Sequence, residues 1–317
     1  MKIIAVTGAQ GFVGSAVVHH LRNLGHTVIP IVRKTNGTFQ DAIEWDITTP
    51  YKGGGINADV VIHAAAKVDD WATHEDSYNV NVKGTKNVLD TFASAKLFIY
   101  VSSASVYDPT NTNQVITEKS PAGTNLLNPY SKTKYEGERV VLDSSVQSRV
   151  IVRPHIIYGP GDTTVLPRLL QAKRFGRFLM LGNGDNNISL THIDNLVHSI
   201  VTIIKADATF EAEVFNIVDK KSDTIKNIVN ALKQSLEINE KNLYIPRFMA
   251  SSIGGVLERL FRLVKIKHSP IITSYIVEQM TSDHVFDCTK AVESFGYNPM
   301  INYKEGFKEL DKSDYEV

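Results

Sequence analysis

Val6-Thr7-Gly8-Ala9-Gln10-Gly11-Phe12-Val13-Gly14 ends a short apolar run, 2–7, and leads into 15–24, where Ala16, Val17, Leu21 and Leu24 recur at helical spacing. The order is strand, glycine turn, helix. Gly8 permits the tight turn, Gly11 lets the backbone approach an anion closely, and Gly14 lets the helix lie close on the strand. The free N–H groups at the helix start attract phosphate. A glycine triplet alone also serves plain packing. Its place between a first strand and a first helix marks a turn that holds the pyrophosphate of a dinucleotide.

Further apolar runs at 27–32, 60–65, 97–102 and 149–153 alternate with helical patterns at 82–95 and 130–142. Continuous apolar strands between helices predict an α/β fold, a doubly wound parallel sheet covered on both faces. Its ligand crevice should lie beyond the carboxyl ends of the strands. Past Gly161 the alternation weakens: 165–178 and 194–204 read as helices, 214–218 as a strand and 222–236 as a helix. We therefore expect a dinucleotide-binding domain over 1–162, with 193–220 returning to it. A smaller, interleaved C-terminal substrate lobe should be built mainly from 163–192 and 221–317.

Composition narrows the partners. Lys plus Arg and Asp plus Glu number 34 each in 317 residues, so the formal net charge is zero and no basic face for nucleic acid is expected. The single cysteine, Cys288, and a strand-like beginning predict a cytoplasmic protein. No run of about 18 apolar residues is present to span a bilayer. The histidines lack metal-ligand spacing, so no metal site is expected. One stretch, 248–267, is unusual. Met249, Ile253, Val256, Leu257, Leu260 and Val264 form a stripe, with Arg259, Arg262, Lys265 and Lys267 among them. Such a helix either packs on the lobe and roofs an apolar pocket, or makes peripheral contact with a membrane surface.

The chemistry concentrates in two places. Tyr130 and Lys134 stand at i and i+4, on one face of a helix, where an ammonium and an oxidised nicotinamide would both favour the phenolate. Tyr130 would then exchange a proton with an alcohol or a ketone. The run Tyr100-Val101-Ser102-Ser103-Ala104-Ser105-Val106-Tyr107 delivers hydroxyls to the carboxyl edge of the sheet, where one can hold the reacting oxygen. After the second strand the chain reads Ile31-Val32-Arg33-Lys34. No carboxylate is there to bind a ribose 2′-hydroxyl, whereas a guanidinium suits a 2′-phosphate, so NADP is preferred to NAD.

TGAQGFVG, WDI at 45–47, HAAA at 63–66, NVKGT at 81–85, VSSASVY, YSKTK, RPHIIYGPGD at 153–162, FDCTKA at 286–291 and FGYNP at 295–299 run in order through nearly the whole chain. As a set they resemble the extended short-chain dehydrogenase/reductase family, also known as the NAD-dependent epimerase/dehydratase superfamily. The resemblance implies a Rossmann-type fold, a Ser103-Tyr130-Lys134 triad, and a homodimer formed through 82–95 and 130–142. It implies cofactor contacts from Thr7, Gly8, Gln10, Gly11, Phe12, Val13 and Gly14, and from Arg33, Asp46 and Ile47. It adds Ala64, Ala65, Ala66, Asn81, Val101, Tyr130, Lys134, Pro154 and Ile157. Lys67, Val68, Ser105 and His155 are the expected substrate residues, with His155 lining the site and His63 packing the cofactor loop. Asp108 departs from the glycine usual after VY.

Sugar-nucleotide members carry diphosphate-gripping arginines where this chain has Ile188 and the segment Met280-Thr281-Ser282-Asp283. The Asp-Glu pair of dehydratases is replaced by Ala104-Ser105. The chain is closest in character to the 3β-hydroxysteroid dehydrogenase-like branch. We expect hydride transfer to or from a bulky, apolar secondary alcohol or ketone. The alternative is a nucleotide-sugar epimerase or reductase, with Arg168, Arg174 or Arg177 gripping the diphosphate.

Overall fold

A computed structural model describes residues 1–110, 114–174, 176–206, 208–266 and 268–315. Lys267, counted above in the basic stretch, and Phe175, inside the helix expected over 165–178, lie outside the described residues.

Seven strands form the central sheet: β1 (Ile3–Thr7), β2 (Thr27–Val32), β3 (Ile43–Glu44), β4 (Val60–His63), β5 (Leu97–Val101), β6 (Ser148–Pro154) and β7 (Glu213–Ile217). They are all parallel, in the order β7-β6-β5-β4-β1-β2-β3. The chain winds outward from β1 through β2 to β3, then returns to the other side of β1 with β4. The switch between β1 and β4 opens a crevice at their carboxyl ends.

The helices are α1 (Phe12–Asn23), α2 (His74–Tyr78), α3 (Thr85–Thr91), α4 (Pro129–Leu142), α5 (Val165–Leu170), α6 (Ile193–Lys205), α7 (Ile225–Ser235), α8 (Arg247–Leu263) and α9 (Ser274–Thr281). Successive strand residues point to opposite faces. Ile4 and Val6 join Val17, Leu21, Leu196 and Ile200 of α1 and α6 in one core. Ala5, Phe98 and Ile151 join Leu89 and Val141 of α3 and α4 in another. Both faces are covered, which is why these strands read as unbroken apolar runs rather than alternating ones.

Three local readings are corrected. The helix expected over 165–178 stops at Leu170. Lys173–Arg174 and Arg177–Leu181 instead form an antiparallel pair that reverses at Gly176, whose φ is +67°. Phe178 and Met180 are buried two residues apart, a strand period that the apolar residues before them disguised. The helix expected from 82 begins at α2 and passes through a wider π turn, Asn79–Gly84, into α3. Thr73 caps α2, accepting from the Asp76 N–H at 3.1 Å. The two-residue β3 at the sheet edge was too short to register as a period.

A third core, including Tyr158, Leu166, Phe178, Met180, Leu190, Ile228 and Leu232, holds the lobe together. Between lobe elements, α6 and β7 return to the sheet, β7 pairing with β6.

Candidate active site

The turn after β1 is shaped by what its glycines must avoid. Gly8 has φ +67°, and a Cβ there would lie 2.7 Å from the Ala65 backbone beyond β4. A Cβ on Gly14 would lie 2.1 Å from the Gly8 carbonyl oxygen. The turn is thus pressed between the next strand and its own helix. Gly11 caps α1 without a side-chain acceptor, leaving the first N–H groups of the helix free for an anion.

A cleft of about 610 Å³ runs from this turn across the strand ends to α4 and α9. The turn residues Gly8, Gln10, Gly11, Phe12, Val13 and Gly14 line one end. Arg33, at the exit of β2, lines it together with Asp46 and Ile47, and so do Ala64, Ala65 and Ala66 after β4. Ser103, Tyr130, Pro154 and Ile157 line the middle, with Val68, Ser105 and His155 beside them.

Five of the expected residues do not line this cleft. The Thr7 hydroxyl donates to His63 Nδ1 at 2.6 Å and accepts the Ala65 N–H at 3.3 Å. His63 Nε2 meets the Thr85 hydroxyl at 2.9 Å, and that hydroxyl donates to the Asn81 carbonyl at 2.7 Å. Burial first, then the Lys134 charge, push His63 down to about 3, so it is neutral and serves packing. Asn81 holds the loop after β4, accepting the Lys67 N–H at 2.8 Å and donating to Thr133 at 2.9 Å. Lys67 turns outward to Asp69, at 3.6 Å. Val101 contributes its carbonyl oxygen, which accepts from Lys134 Nζ at 2.6 Å. Thr7, Asn81 and the Val101 carbonyl thus hold the loop after β4 and the start of the catalytic segment from below the cleft.

Asn128 caps α4, accepting the Ser131 N–H at 2.8 Å, and Pro129 begins the helix. Tyr130 stands in the first turn with its phenol in the cleft. Burial pushes that phenol up to about 12, against a smaller opposing effect from its hydrogen bond with Ser103. Lys134 is 1% exposed, with its ammonium 4.0 Å above the centre of the Tyr100 ring. Burial lowers it to about 7, while the nearby Glu138 carboxylate opposes the fall. Burial thus leaves Tyr130 protonated at neutral pH, whereas the expected phenolate rests on an oxidised nicotinamide as well as on the ammonium.

Glu138, one turn further along α4, is buried. It accepts from Ser102 at 2.5 Å and from Arg153 at 2.9 Å and 2.6 Å. The Arg153 guanidinium lies 4.6 Å over the Tyr107 ring, and Tyr107 donates to Asn216 at 2.7 Å. Ser102, α4, β6 and β7 are tied together beneath the cleft by this one buried pair.

Sequence reasoning missed four lining residues of note. Tyr275 and Gln279 reach the cleft from α9, and His155 Nε2 lies 3.3 Å from the Gln279 amide oxygen. His155 Nδ1 is 2.6 Å from the Ser189 carbonyl oxygen, and burial lowers the ring to about 4, so it is a neutral lining residue. Val80 enters through the π turn. Ile156 adopts φ +39°, costly for a β-branched residue and held in place by the pairing of Ile157–Tyr158 with Thr191–His192. No sequence signal marks these positions, because each belongs to an element whose approach to the cleft depends on packing far along the chain.

A family model described as the NAD dependent epimerase/dehydratase family matches residues 4–218. A 2-alkyl-3-oxoalkanoate reductase from Stenotrophomonas maltophilia is 30% identical over 99% of this chain and 99% of its own length. A decarboxylating sterol-4-alpha-carboxylate 3-dehydrogenase from Mus musculus is 28% identical over 98% of this chain and 91% of its own. Among solved structures, a UDP-glucuronic acid 4-epimerase from Bacillus cereus in complex with NAD shares the fold. Its TM-score is 0.73 at 21% identity, over 99% of this chain and 98% of that one.

Proposed function

The chain belongs to the NAD-dependent epimerase/dehydratase family and is an NAD(P)-dependent oxidoreductase of the extended short-chain dehydrogenase/reductase type; from this we propose that it interconverts the ketone and secondary alcohol of an apolar β-oxo or β-hydroxy carboxylate. The observation that carries the reading is that Ser103 and Tyr130 share one cleft with the glycine turn, with Lys134 buried one turn along α4 and donating to the Val101 carbonyl. The two curated relatives are named for substrates with a carboxylate on the carbon next to the one reduced or oxidised. Here the Ser105 hydroxyl is buried without a hydrogen-bond partner among the described residues, beside Ser103. In this reading it donates to that carboxylate. Val68, Val80, Ile156 and Val165 offer the apolar body its walls.

The glycine turn and the α1 start would hold the pyrophosphate, and Pro154 and Ile157 would flank the nicotinamide, which supplies or accepts the hydride. Ser103 donates to the reacting oxygen and fixes it beside Tyr130. A phenol raised to about 12 is protonated at neutral pH and gives its proton to the developing alkoxide. Lys134, one turn along α4, would stabilise the phenolate that remains. The two positions where sugar-nucleotide members carry arginines hold apolar residues here, and one of the three arginines that could replace them is already paired. Ile188 is buried in the lobe core, Met280 is partly buried against it, and Arg168 is paired with Asp70 at 2.9 Å.

Oxidation of a 2-alkyl-3-hydroxyalkanoate with NADP, followed at the absorbance of the reduced cofactor, tests the substrate. Turnover is expected; no turnover, together with turnover of a UDP-sugar, would overturn the reading. Arg33 stands exposed at the cleft rim, free to take a 2′-phosphate. Arg33→Ala should weaken NADPH at least tenfold more than NADH, since a charge-assisted contact is worth about 1.5–3 kcal/mol. Equal losses for the two coenzymes, measured by fluorescence titration, would remove Arg33 from that role.

A further inference from the structure

Most of the stripe on α8 is uncovered: Met249, Ile253, Val256, Leu260 and Val264 are exposed, Leu257 is half-buried, and none of them lines the cleft. Ala250 and Gly254 are the buried residues of the helix, and with half-buried Leu257 they form a row along one edge of the stripe. Ala250 sits with Val277 of α9 in a small cluster, and a Cβ on Gly254 would touch Ile272 at 3.4 Å. Arg247 holds Glu278 at 2.8 Å, and Glu258 accepts from the Ser274 N–H at 2.8 Å. Seven of the nineteen exposed large apolar side chains among the described residues lie between 248 and 264. Phe248 is 71% exposed, Leu263 79% and Val264 67%. A contiguous apolar face of this kind marks an interaction surface rather than the ordinary scatter of exposed side chains.

Its charge says what kind of partner fits. Arg247, Arg259, Arg262 and Lys265 accompany one acidic residue, Glu258, between 247 and 265. Arg259 and Lys265 make no ion pair among the described residues. A second copy docked through the same face would bring these cations against their equivalents. An anionic bilayer would neutralise them while taking up the apolar face.

The helix is also joined to the cleft mouth. Its C-terminal end meets the loop after β4, where Trp71 Nε1 donates to the Ile266 carbonyl at 3.1 Å and Arg262 lies 4.8 Å over the Trp71 ring. The same loop carries Val68 into the cleft, and α9, packed along α8, carries Tyr275 and Gln279. We propose that α8 is a membrane-surface helix that docks the cleft mouth on an anionic bilayer, where an apolar substrate resides. The apolar substrate rests on the catalytic reading above, whereas docking is read by binding alone and stands or falls without turnover.

The full chain is sedimented with phosphatidylcholine vesicles made with and without phosphatidylglycerol. Binding is expected to the anionic vesicles, falling with added salt. Replacing both Phe248 and Leu263 by Ser should weaken it at least tenfold. Replacing Arg259 and Lys265 by Gln should weaken it about fivefold for each cation removed. Both variants should keep the wild-type unfolding midpoint and cofactor affinity. If the apolar variant misfolds, the charge variant alone decides. No binding by the wild type, or equal binding by the charge variant, overturns the proposal. So does light scattering that shows a dimer lost in the apolar variant when the wild type ignores vesicles.

Discussion

Tyr130→Phe should lower turnover by about 10²–10⁴-fold, the usual worth of a positioned acid–base group, while cofactor affinity stays near the wild-type value. Phenylalanine fills the same space at the start of α4 and keeps the Asn128 cap, so the cleft keeps its shape. What disappears is the one proton held at about pH 12 beside Ser103. The nearest substitute, His155, is neutral, lowered to about 4, and lies against the Ser189 carbonyl oxygen. Single-turnover kinetics with bound NADPH separate the chemical step from binding. A variant with wild-type single-turnover rates would transfer the proton-donor role to another group.

Glu138→Gln should cost about 3–5 kcal/mol of stability, because it leaves the Arg153 guanidinium buried without its charged partner. That corresponds to a fall in Tm of roughly 6–10 °C, taking about 2 °C per kcal/mol for large domains. The same change should alter the pH dependence. Burial sets Lys134 at about 7, well below its ordinary value, and Glu138 opposes that fall. Between the folded and unfolded values the unfolded chain binds more protons, so stability rises with pH there and is lost as pH falls toward 7. Removing Glu138 extends this window to lower pH. Denaturant unfolding at pH 8 and pH 6 should therefore show a deficit that grows as pH falls. An equal deficit at both values would mean that Glu138 does not hold the Lys134 charge, leaving it a purely structural partner of Arg153.

Lys134 shows why part of the site was unreadable. Its i, i+4 spacing from Tyr130 placed both on one helical face, and that spacing is local chemistry. The direction of the Tyr130 shift was not local. It depends on how much protein closes over α4, including Tyr100 below and α9 above, which no spacing within one helix reports. Thr7 and Asn81 likewise stand in motifs that imply cofactor contact, yet their side chains face inward to His63, Thr133 and the loop after β4.

The glycine turn needed only nine consecutive residues to be read, since a strand, a φ that only glycine adopts without strain, and a helix start are local properties. With the alternating apolar runs it determined a parallel α/β fold with a crevice at the carboxyl ends of the strands, while Ser103, Tyr130 and Lys134 were picked out by a hydroxyl run, an i, i+4 spacing and a family resemblance. Tertiary structure alone decided that α9 supplies Tyr275 and Gln279, and that Glu138 and Arg153 are paired under the cleft. It also decided that the stripe of α8 points outward. A hydrophobic period says that a helix has an apolar face, but only the arrangement of distant segments determines whether anything in the chain covers it.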